Sequence, residues 1–408
     1  MILKEQSEIM SKNISKIEKL IEKFCPEGVK YLKASEFARI TIGEFVHKNK
    51  QNSNGKYPVI NGGISETGYY DEYNNTGNKI IISARGANAG YVNKILIPYW
   101  AGNSSYTIDI IDKNRINWIF VYYYLKDSQN KLTGDQQKGG IPAVSKKQIE
   151  KFKVPIPPLP IQQEIVKILD SFTELEAELE AELEARKKQY EYYREELLTP
   201  VENLEYKELG ELGYFYGGLS GKSKEDFSDG NARFISYMNV YSNISVNTEI
   251  NDFVRISSDE RQNLVKYGDV LFTGSSETPD ECGMSSVLTK QVKEPLYLNS
   301  FCFGYRLKNP NLFIPEFLIY LIRGNDVRTQ ILRTASGVTR FNISKKRFAK
   351  IKIPLFPITE QKRIAAVLSK FDKLVNDISI GLPAEISARK SQYEYYRNKL
   401  LTFKEYGK

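Results

Sequence analysis

The segment that decides the fold occurs twice in the chain. Lys151-Phe-Lys-Val-Pro-Ile-Pro-Pro-Leu-Pro-Ile-Gln162 aligns with Lys350-Ile-Lys-Ile-Pro-Leu-Phe-Pro-Ile-Thr-Glu-Gln361, at an offset of 350 − 151 = 199 residues. Each copy leads into a long run of regularly spaced apolar residues. Because proline disfavours helical geometry in the residue before it, the prolines limit how far a helix can extend backward. The sequence therefore predicts a long helix after each copy.

The ends of the two predicted helices are also repeated. Ala185-Arg-Lys-Lys-Gln-Tyr-Glu-Tyr-Tyr-Arg194 differs at one position from Ala388-Arg-Lys-Ser-Gln-Tyr-Glu-Tyr-Tyr-Arg397, now at an offset of 388 − 185 = 203 residues. The second copy thus has 203 − 199 = 4 extra residues, which is about one helical turn and would leave the same face pointing inward. The segment Gly381-Leu-Pro383 interrupts the second copy, and we expect a kink or break there.

Apolar residues in the first copy recur at steps of three and four, which predicts a heptad seam with one irregular stretch at Leu175, Leu179 and Leu183. Six glutamates between Glu174 and Glu184 form a solvated outer face. The 39 residues of 160–198 make a rod about 58 Å long. Antiparallel pairing of the two rods would place the flanking domains at opposite ends of a pseudo-two-fold arrangement.

The segments before the two helices correspond more faintly. Apolar runs at 118–125 and 317–322 have matching positions, and short β-branched runs at 78–83 and 269–273 indicate strands. Repeated rods suggest a part that meets an identical partner twice, whereas diverged domains suggest parts that read different things. We predict an N-terminal helical segment (1–27), two domains (28–152 and 201–350) and two helices (153–200 and 351–408).

Composition excludes several classes of protein. The chain has 408 residues, one histidine and three cysteines, Cys25, Cys282 and Cys302, which lie far apart. A single histidine, His47 in a polar loop, excludes zinc sites with two histidines, HExxH peptidases and HNH nucleases. The cysteines exclude a disulfide framework. No apolar run approaches the ~20 residues that span a bilayer, and the N-terminus has no secretion signal, so we expect a cytoplasmic protein.

The net charge of 58 − 50 = +8 is unevenly distributed. Residues 30–150 have 16 basic and 10 acidic side chains, residues 151–198 have 7 and 11, and residues 323–350 have 8 and 1. Two basic regions separated by an acidic segment suit a chain that touches a polyanion twice. A mildly basic solvated surface explains the same counts equally well.

With both repeats in view, the chain resembles the specificity (S) subunit of type I restriction-modification systems over essentially its whole length. The doubled helix start and helix end carry the resemblance. Three further segments are similar to the target-recognition domains of that family: Tyr57-Pro-Val-Ile-Asn-Gly-Gly63, Ser83-Ala-Arg-Gly-Ala-Asn88 and Gly268-Asp-Val-Leu-Phe-Thr-Gly-Ser-Ser-Glu-Thr-Pro279. The resemblance implies two mixed α/β target-recognition domains in tandem, separated by two long helices that pair as an antiparallel coiled coil.

The resemblance also implies partners. Each domain would read half of a split site in double-stranded DNA, and two methyltransferase (M) subunits would bind the rods and be joined by restriction/translocase (R) subunits. S-adenosylmethionine, ATP and Mg would be bound by those partners, with no cofactor, metal or catalytic residue on this chain and no membrane. The chain has no Asn/Asp-Pro-Pro-Tyr/Phe segment of the kind that amino-methyltransferases carry. A rod of this length suits domains about one DNA turn (~34 Å) apart.

Two sets of candidate site residues follow. Polar side chains in loops after strands, together with basic side chains, could bind base edges or phosphates, although turn-forming or solvated roles are also open; these are Arg85, Asn88, Lys222, Thr273, Ser275, Ser276, Arg328, Arg333, Arg340, Lys345 and Lys346. Repeated side chains on the rods are predicted to bind the methyltransferase subunits; these are Gln162, Ile165, Leu169, Tyr190, Tyr193, Gln361, Ile364, Leu368, Tyr393 and Tyr396. Base stacking is an alternative for the tyrosines.

Two other functions remain open from the sequence. Gly217-Gly-Leu-Ser-Gly-Lys-Ser223 contains Gly-Lys-Ser, which would suit an ATP-dependent DNA-acting enzyme, but Tyr216 stands where a phosphate-binding loop has its first glycine. The other alternative is a coiled-coil scaffold without DNA contact.

Overall fold

The computed structural model describes residues 14–133, 142–199 and 204–407. These residues belong to two compact units, one within Met1–Leu179 together with Ile386–Lys408 and the other within Glu180–Glu385. Each unit thus combines one mixed α/β domain with the start of one long helix and the end of the other. Among the described residues, no helix is both long and apolar enough to cross a membrane.

In chain order the first domain has helix α1 (residues 14–24) and then the following elements: β1 (Tyr31–Lys33), α2 (Ala34–Phe37), β2 (Ala38–Ile42), β3 (Tyr57–Ile60), β4 (Gly68–Tyr70), β5 (Lys79–Ser83), β6 (Val92–Ile95), β7 (Trp100–Ala101), β8 (Ser105–Ile110), α3 (Trp118–Asp127), α4 (Gln129–Leu132), α5 (Lys146–Lys151) and β9 (Lys153–Pro155). The long helix α6 (Leu159–Leu198) follows.

The second domain has the same order with four additional elements. Its elements are β10 (Tyr206–Glu208), α7 (Leu209–Leu212), β11 (Gly213–Gly217), β12 (Ala232–Ile235), α8 (Tyr237–Ser242), β13 (Phe253–Val254), β14 (Val270–Thr273), β15 (Ser275–Ser276), β16 (Ser285–Val287), β17 (Leu296–Leu298), β18 (Cys302–Leu307), α9 (Pro315–Leu321), α10 (Asn325–Leu332), β19 (Ala335–Ser336), β20 (Phe341–Ile343), α11 (Lys345–Phe348) and β21 (Lys352–Pro354). The additional elements are α8, β15, β19 and β20. Helices α12 (Ile358–Asn376) and α13 (Leu382–Leu401) close the chain.

The two domains share three sheets, and the second domain has one more, a three-stranded sheet of order β15-β20-β19. A four-stranded antiparallel sheet has the order β2-β8-β5-β6 in the first and β11-β18-β14-β16 in the second. A three-stranded sheet has the order β4-β3-β7 in one and β13-β12-β17 in the other, and a two-stranded ribbon joins β1 to β9 and β10 to β21. The central strands β5 and β14 are buried along their whole length, as expected for continuous apolar runs covered on both faces. The mixed α/β fold predicted for both domains is confirmed.

The prediction of one unbroken helix in the first repeat is confirmed, because α6 has 40 residues and extends about 60 Å. The predicted break in the second repeat is confirmed as well. Helices α12 and α13 have 19 and 20 residues, and residues 377–381 form a turn between them. The Asp377 carboxylate accepts hydrogen bonds from the backbone N–H groups of Ser379 and Ile380 (2.7 and 3.2 Å). The four extra residues of the second copy therefore form this turn, and the expectation that they add a helical turn was wrong.

Helices pair antiparallel inside each unit. In the first unit Phe172 packs against the rings of Tyr393 and Tyr396, at centroid distances of 6.0 and 5.8 Å. Glu176, one turn further along α6, pairs with Lys390, which lies earlier on α13 (3.2 Å). The chain numbers run in opposite directions, as antiparallel helices require.

The second unit repeats this packing with the copies exchanged. Phe371 of α12 contacts the rings of Tyr190 and Tyr193 of α6, at 6.4 and 5.6 Å. Ile364, two turns earlier on α12, belongs to the same core as Leu198, which lies later on α6. The antiparallel helical pairing predicted from the sequence is therefore confirmed within both units.

Candidate nucleic-acid interface

The end of the central strand marks the same sheet edge in both domains. After β5, the Ala84 N–H donates to the Ser104 carbonyl, and after β14 the Gly274 N–H donates to the Phe301 carbonyl, both at 2.8 Å. The next residue pairs with a later segment, as Arg85 with Ala143 in the first domain and Ser275 with Asn342 in the second. Arg85 and Ser275 thus occupy equivalent positions on a shared framework.

The second domain has a cleft of about 840 Å³ at this edge. Its lining combines polar and charged side chains with apolar side chains that are exposed to solvent. Val338, for example, is 91% exposed. The lining residues are Tyr237, Met238, Tyr241, Ser275, Ser276, Glu277, Glu281, Phe301, Val338, Thr339 and Arg340. Three of the predicted DNA-binding residues, Ser275, Ser276 and Arg340, meet in it.

One wall of the cleft is held by Glu281. Its carboxylate accepts hydrogen bonds from the hydroxyls of Tyr241 (2.6 Å), Thr278 (2.9 Å) and Ser276 (3.4 Å). These bonds, that from Tyr241 above all, favour the charged form and lower the pKa of Glu281. Glu281 therefore fixes the loop after β15, and the Ser276 hydroxyl is occupied in that task.

Thr273 and Arg328, both predicted to bind DNA, also have structural partners. Thr273 is fully buried, and its hydroxyl accepts a hydrogen bond from the Met284 N–H (2.9 Å). The Arg328 guanidinium donates to the backbone carbonyls of Gly283 (2.9 Å) and Asp280 (2.5 Å), and burial lowers its pKa. The prediction for Thr273 is corrected to a structural role, because its hydroxyl is fully buried. Arg328 is half-buried and supports the backbone through two carbonyls, and its contact with DNA stays a prediction.

Other predicted contacts are exposed. Arg333, Lys345 and Lys346 lie at the surface around the start of α11, where the Lys345 ammonium lies over the Phe303 ring at 5.6 Å. In the first domain Arg85 is exposed and its guanidinium makes one long hydrogen bond, 3.4 Å to the Asn103 carbonyl. Asn88 is half-buried in the turn that follows Arg85.

Lys222 was a predicted DNA contact and is also the lysine on which the ATP-binding alternative depends. Its side chain is bound to other groups of the same chain. Its ammonium pairs with the Glu260 carboxylate at 2.5 Å and donates to the Arg255 carbonyl at 2.6 Å. The hydrogen bonds from Lys222, and then from Gln262, lower the pKa of Glu260 to about 2. Strand β11 leads into this segment, but a short 3-10 turn follows (Glu225–Phe227) in place of the helix that a phosphate-binding loop needs. The prediction of Lys222 as a DNA contact is corrected to an internal ion pair.

The repeated glutamines fasten the long helices to their domains. The Gln162 side chain accepts from the Asn117 N–H (2.8 Å) and donates to the carbonyls of Arg115 (3.1 Å) and Pro157 (2.6 Å). Gln361 makes the equivalent three bonds in the second unit, with Ile314 (2.9 Å), Leu312 (3.0 Å) and Phe356 (2.8 Å). Each amide is fully buried.

Four apolar side chains of the repeat are also fully buried, in the cores of their own units: Ile165, Leu169, Ile364 and Leu368. Together with Gln162 and Gln361 they were predicted to bind the methyltransferase subunits. A side chain with no exposed surface cannot contact a partner, so these six predictions are corrected: the repeat is alike here because both helices pack on the same fold.

Tyr190, Tyr193, Tyr393 and Tyr396 lie at the contacts between the paired helices. Burial raises the pKa of Tyr190 to about 12 and also raises that of Tyr393. The exposed tyrosines beside them, Tyr192 and Tyr395, were not among the predicted methyltransferase contacts. Tyr192 and Tyr395 are 65% and 63% exposed, and each packs edge-on against the following tyrosine. The sequence signal for these two residues is that both copies of the repeat have a tyrosine at this position.

The remaining candidates for chemistry are metal-ligating clusters, the cysteine thiols and His47. Within residues 14–133, 142–199 and 204–407, no group of three or more histidine, cysteine, aspartate or glutamate side chains is arranged to hold a metal ion. Burial raises the pKa of all three cysteine thiols, which disfavours a reactive thiolate. His47 is exposed beside Phe45.

Comparison with known proteins agrees with this architecture. The family model described as the type I restriction modification DNA specificity domain matches residues 26–185 and 201–388. The specificity subunit of the type I restriction enzyme EcoR124I/EcoR124II from Escherichia coli is 35% identical over 314 residues, 72% of each chain. A putative type I restriction enzyme specificity subunit from Haemophilus influenzae, S.HindORF215P, is 30% identical over 317 residues, 75% of this chain and 77% of that one.

Solved structures share the fold at low sequence identity. The crystal structure of the type I restriction-modification S subunit from M. genitalium aligns with a TM-score of 0.57 at 18% identity, covering 92% of this chain and 96% of that one. A chain from a study of type I system assembly and conformational transition aligns with a TM-score of 0.56 at 15% identity, covering 93% and 98%. The doubled domain, the paired helices and the matched family model lead to one conclusion: the chain belongs to the family of type I restriction-modification DNA specificity subunits.

Proposed function

We propose that this chain reads a two-part, asymmetric target in double-stranded DNA and has no catalytic activity of its own. The observation that carries the proposal is the shared sheet edge with unlike side chains, Arg85 in one domain and Ser275 in the other. Equivalent frameworks with different reading groups suit two different half-sites. The exposed basic side chains around α11 would contact phosphates and orient the domain on the duplex.

The helices would hold two methyltransferase subunits, which restriction/translocase subunits would join. Tyr192 and Tyr395 are candidates for this surface because they are exposed, aromatic and repeated. Aromatic side chains are enriched among the residues that dominate the energy of protein interfaces. S-adenosylmethionine, ATP and Mg would be bound by the partner subunits, and the complex would act on DNA in the cytoplasm.

The proposal is tested with purified components. The isolated chain is expected to transfer no methyl group and cut no DNA, whereas the chain with its methyltransferase is expected to methylate a two-part site. The measurement is incorporation of labelled methyl groups into DNA. Turnover by the isolated chain, or methylation that is independent of this chain, would contradict the proposal. The ATP-binding alternative would be favoured if the chain bound ATP and Lys222→Ala abolished it.

Replacing each exposed tyrosine should weaken one methyltransferase contact. Tyr192→Ala and Tyr395→Ala are each expected to raise the dissociation constant of one subunit by about 30-fold, since a dominant interface residue contributes about 2 kcal/mol. The measurement is the stoichiometry of the complex by analytical ultracentrifugation. Tyr214→Ala, at an exposed tyrosine of β11 outside the repeat, is the control and should leave two subunits bound. Unchanged binding by the double variant would place the interface elsewhere.

A further inference from the structure

The cleft of the second domain contains a guanidinium that the protein positions but does not neutralise. The Arg340 Nε donates to the Ser275 hydroxyl at 3.2 Å, and the guanidinium lies 5.6 Å from the centre of the Phe301 ring. No carboxylate among the described residues lies within ion-pair distance of Arg340. Its two terminal nitrogens thus have no hydrogen-bond partner in the described part of the chain, although the side chain itself is held at Nε and on one face.

This arrangement suits recognition of a guanine. Two parallel N–H groups of one guanidinium match the O6 and N7 acceptors that guanine presents in the major groove. A guanidinium fixed at Nε and by a ring has lost part of its rotamer freedom before binding, which reduces the entropic cost of the contact.

The surroundings of Arg340 fit a base edge better than a phosphate. Met238, Phe301 and Val338 border the cleft and are exposed apolar side chains. Glu277, also exposed in the lining, would repel a phosphate but can accept a hydrogen bond from a base amino group. Apolar side chains can cover a thymine methyl group in the same groove. A lining of this mixed character is suited to the donors, acceptors and methyl groups of base pairs.

The first domain offers a guanidinium at the same edge from a different element. Arg85 occupies the position equivalent to Ser275, where the small serine leaves space for Arg340 to approach from the opposite segment. The position corresponding to Arg340 falls at residue 141, which lies outside the described residues. The two domains thus present an arginine at the same sheet edge from different segments of the chain. The guanine would therefore occupy different positions in the two half-sites.

Resting on the proposed function, we propose that Arg340 reads a guanine in the half-site of the second domain and that Arg85 does so in the half-site of the first. Each contact would determine one base of the target. Lys345, exposed at the start of α11, would contact a phosphate without reading sequence.

The test uses the complete chain with its methyltransferase and a set of duplexes in which each base of both half-sites is varied singly. Arg340→Ala is expected to reduce the preference for guanine at one position of one half-site by about 10- to 100-fold, and Arg85→Ala at one position of the other half-site. Lys345→Ala should lower methylation of all duplexes by a similar factor and reduce the salt dependence of binding.

Each other outcome overturns the assignment. Uniform loss with Arg340→Ala would make Arg340 a phosphate contact, unchanged base preferences would remove it from recognition, and relaxation of the same half-site by both variants would refute the division between domains. In each of these outcomes the wild-type complex still methylates a two-part site, so the proposed function survives. A wild-type complex without a two-part target would overturn both proposals.

Discussion

Deletion of one Glu-Leu-Glu-Ala tetrad from α6, residues 178–181, is expected to abolish methylation of the original target and to create a target with a spacer one or two base pairs shorter. Four residues account for about 6 Å of helix and about 40° of rotation, and each base pair accounts for about 3.4 Å of DNA. With one half-site out of register, several matched base pairs are lost at about 1–3 kcal/mol each, so methylation of the original site should fall at least about 100-fold.

The position of the deletion protects the folding of each unit. Residues 178–181 lie where α6 passes from the first unit to the second, so the deletion removes none of the tyrosine and phenylalanine residues that pair the helices on either side. The apolar seam is also retained, because Leu183 then follows Leu175 by four residues, as Leu179 does in the wild type. Glu178→Gln, which keeps the length, is the control and should leave the spacer unchanged. The measurement is methylation of duplexes with spacers of graded length. An unchanged spacer in the deletion variant would refute the view that the helix sets the spacing.

Replacing Arg306 by alanine is expected to reduce the free energy of unfolding of the second unit by about 3–5 kcal/mol. Its partner Asp269 is only 1% exposed. Asp269 accepts hydrogen bonds from the Arg306 guanidinium (2.8 and 2.6 Å) and from the Tyr216 hydroxyl (2.6 Å). Removing Arg306 leaves a buried carboxylate without its counter-charge, and that cost exceeds the value of the pair itself.

The effect can be measured by urea denaturation of the full chain. Arg233→Ala is the control. Arg233 forms an exposed ion pair with Glu294 at 3.8 Å, and such pairs contribute less than about 1 kcal/mol to stability. The double variant Asp269→Asn with Arg306→Met should recover part of the lost stability, since it removes both charges. A loss below about 1 kcal/mol for Arg306→Ala would contradict the importance given to this pair.

Sequence reasoning succeeded where local signals agreed. Prolines at the start, apolar spacing along the length and a repeated end predicted α6 within one residue of its observed first position, and Gly381 with Pro383 predicted the break. These features depend on backbone geometry and periodicity, which neighbouring residues determine. The antiparallel pairing was implied by the resemblance to the specificity-subunit family.

Site prediction was weaker because it depends on contacts between residues far apart in the chain. The repeat identified Ile165 and Leu169, but it could not say whether the chain's own domain or a partner subunit covers these side chains. Basic character identified Lys222, yet a cation can be satisfied by its own chain, as Lys222 is. Arg340 was included among basic side chains, but its cleft depends on Ser275, which is 65 residues away.

Tyr192 and Tyr395 show that a usable signal was present. Both belong to the nearly identical ten-residue repeat, and the apolar spacing of three and four along α6 includes Tyr190 and Tyr193 but not Tyr192. Residues that are alike in both copies yet lie off the seam are not explained by helix pairing. That combination singles out exposed repeated positions as partner-binding candidates without any structure.

The most direct test of the central claim is a genome-wide map of methylated bases in cells that express this chain with its methyltransferase. Two unlike specific sequences separated by a fixed number of unspecified base pairs are the predicted result, with the site absent when this chain is omitted. A single uninterrupted motif, or the same modification pattern without the chain, would contradict it.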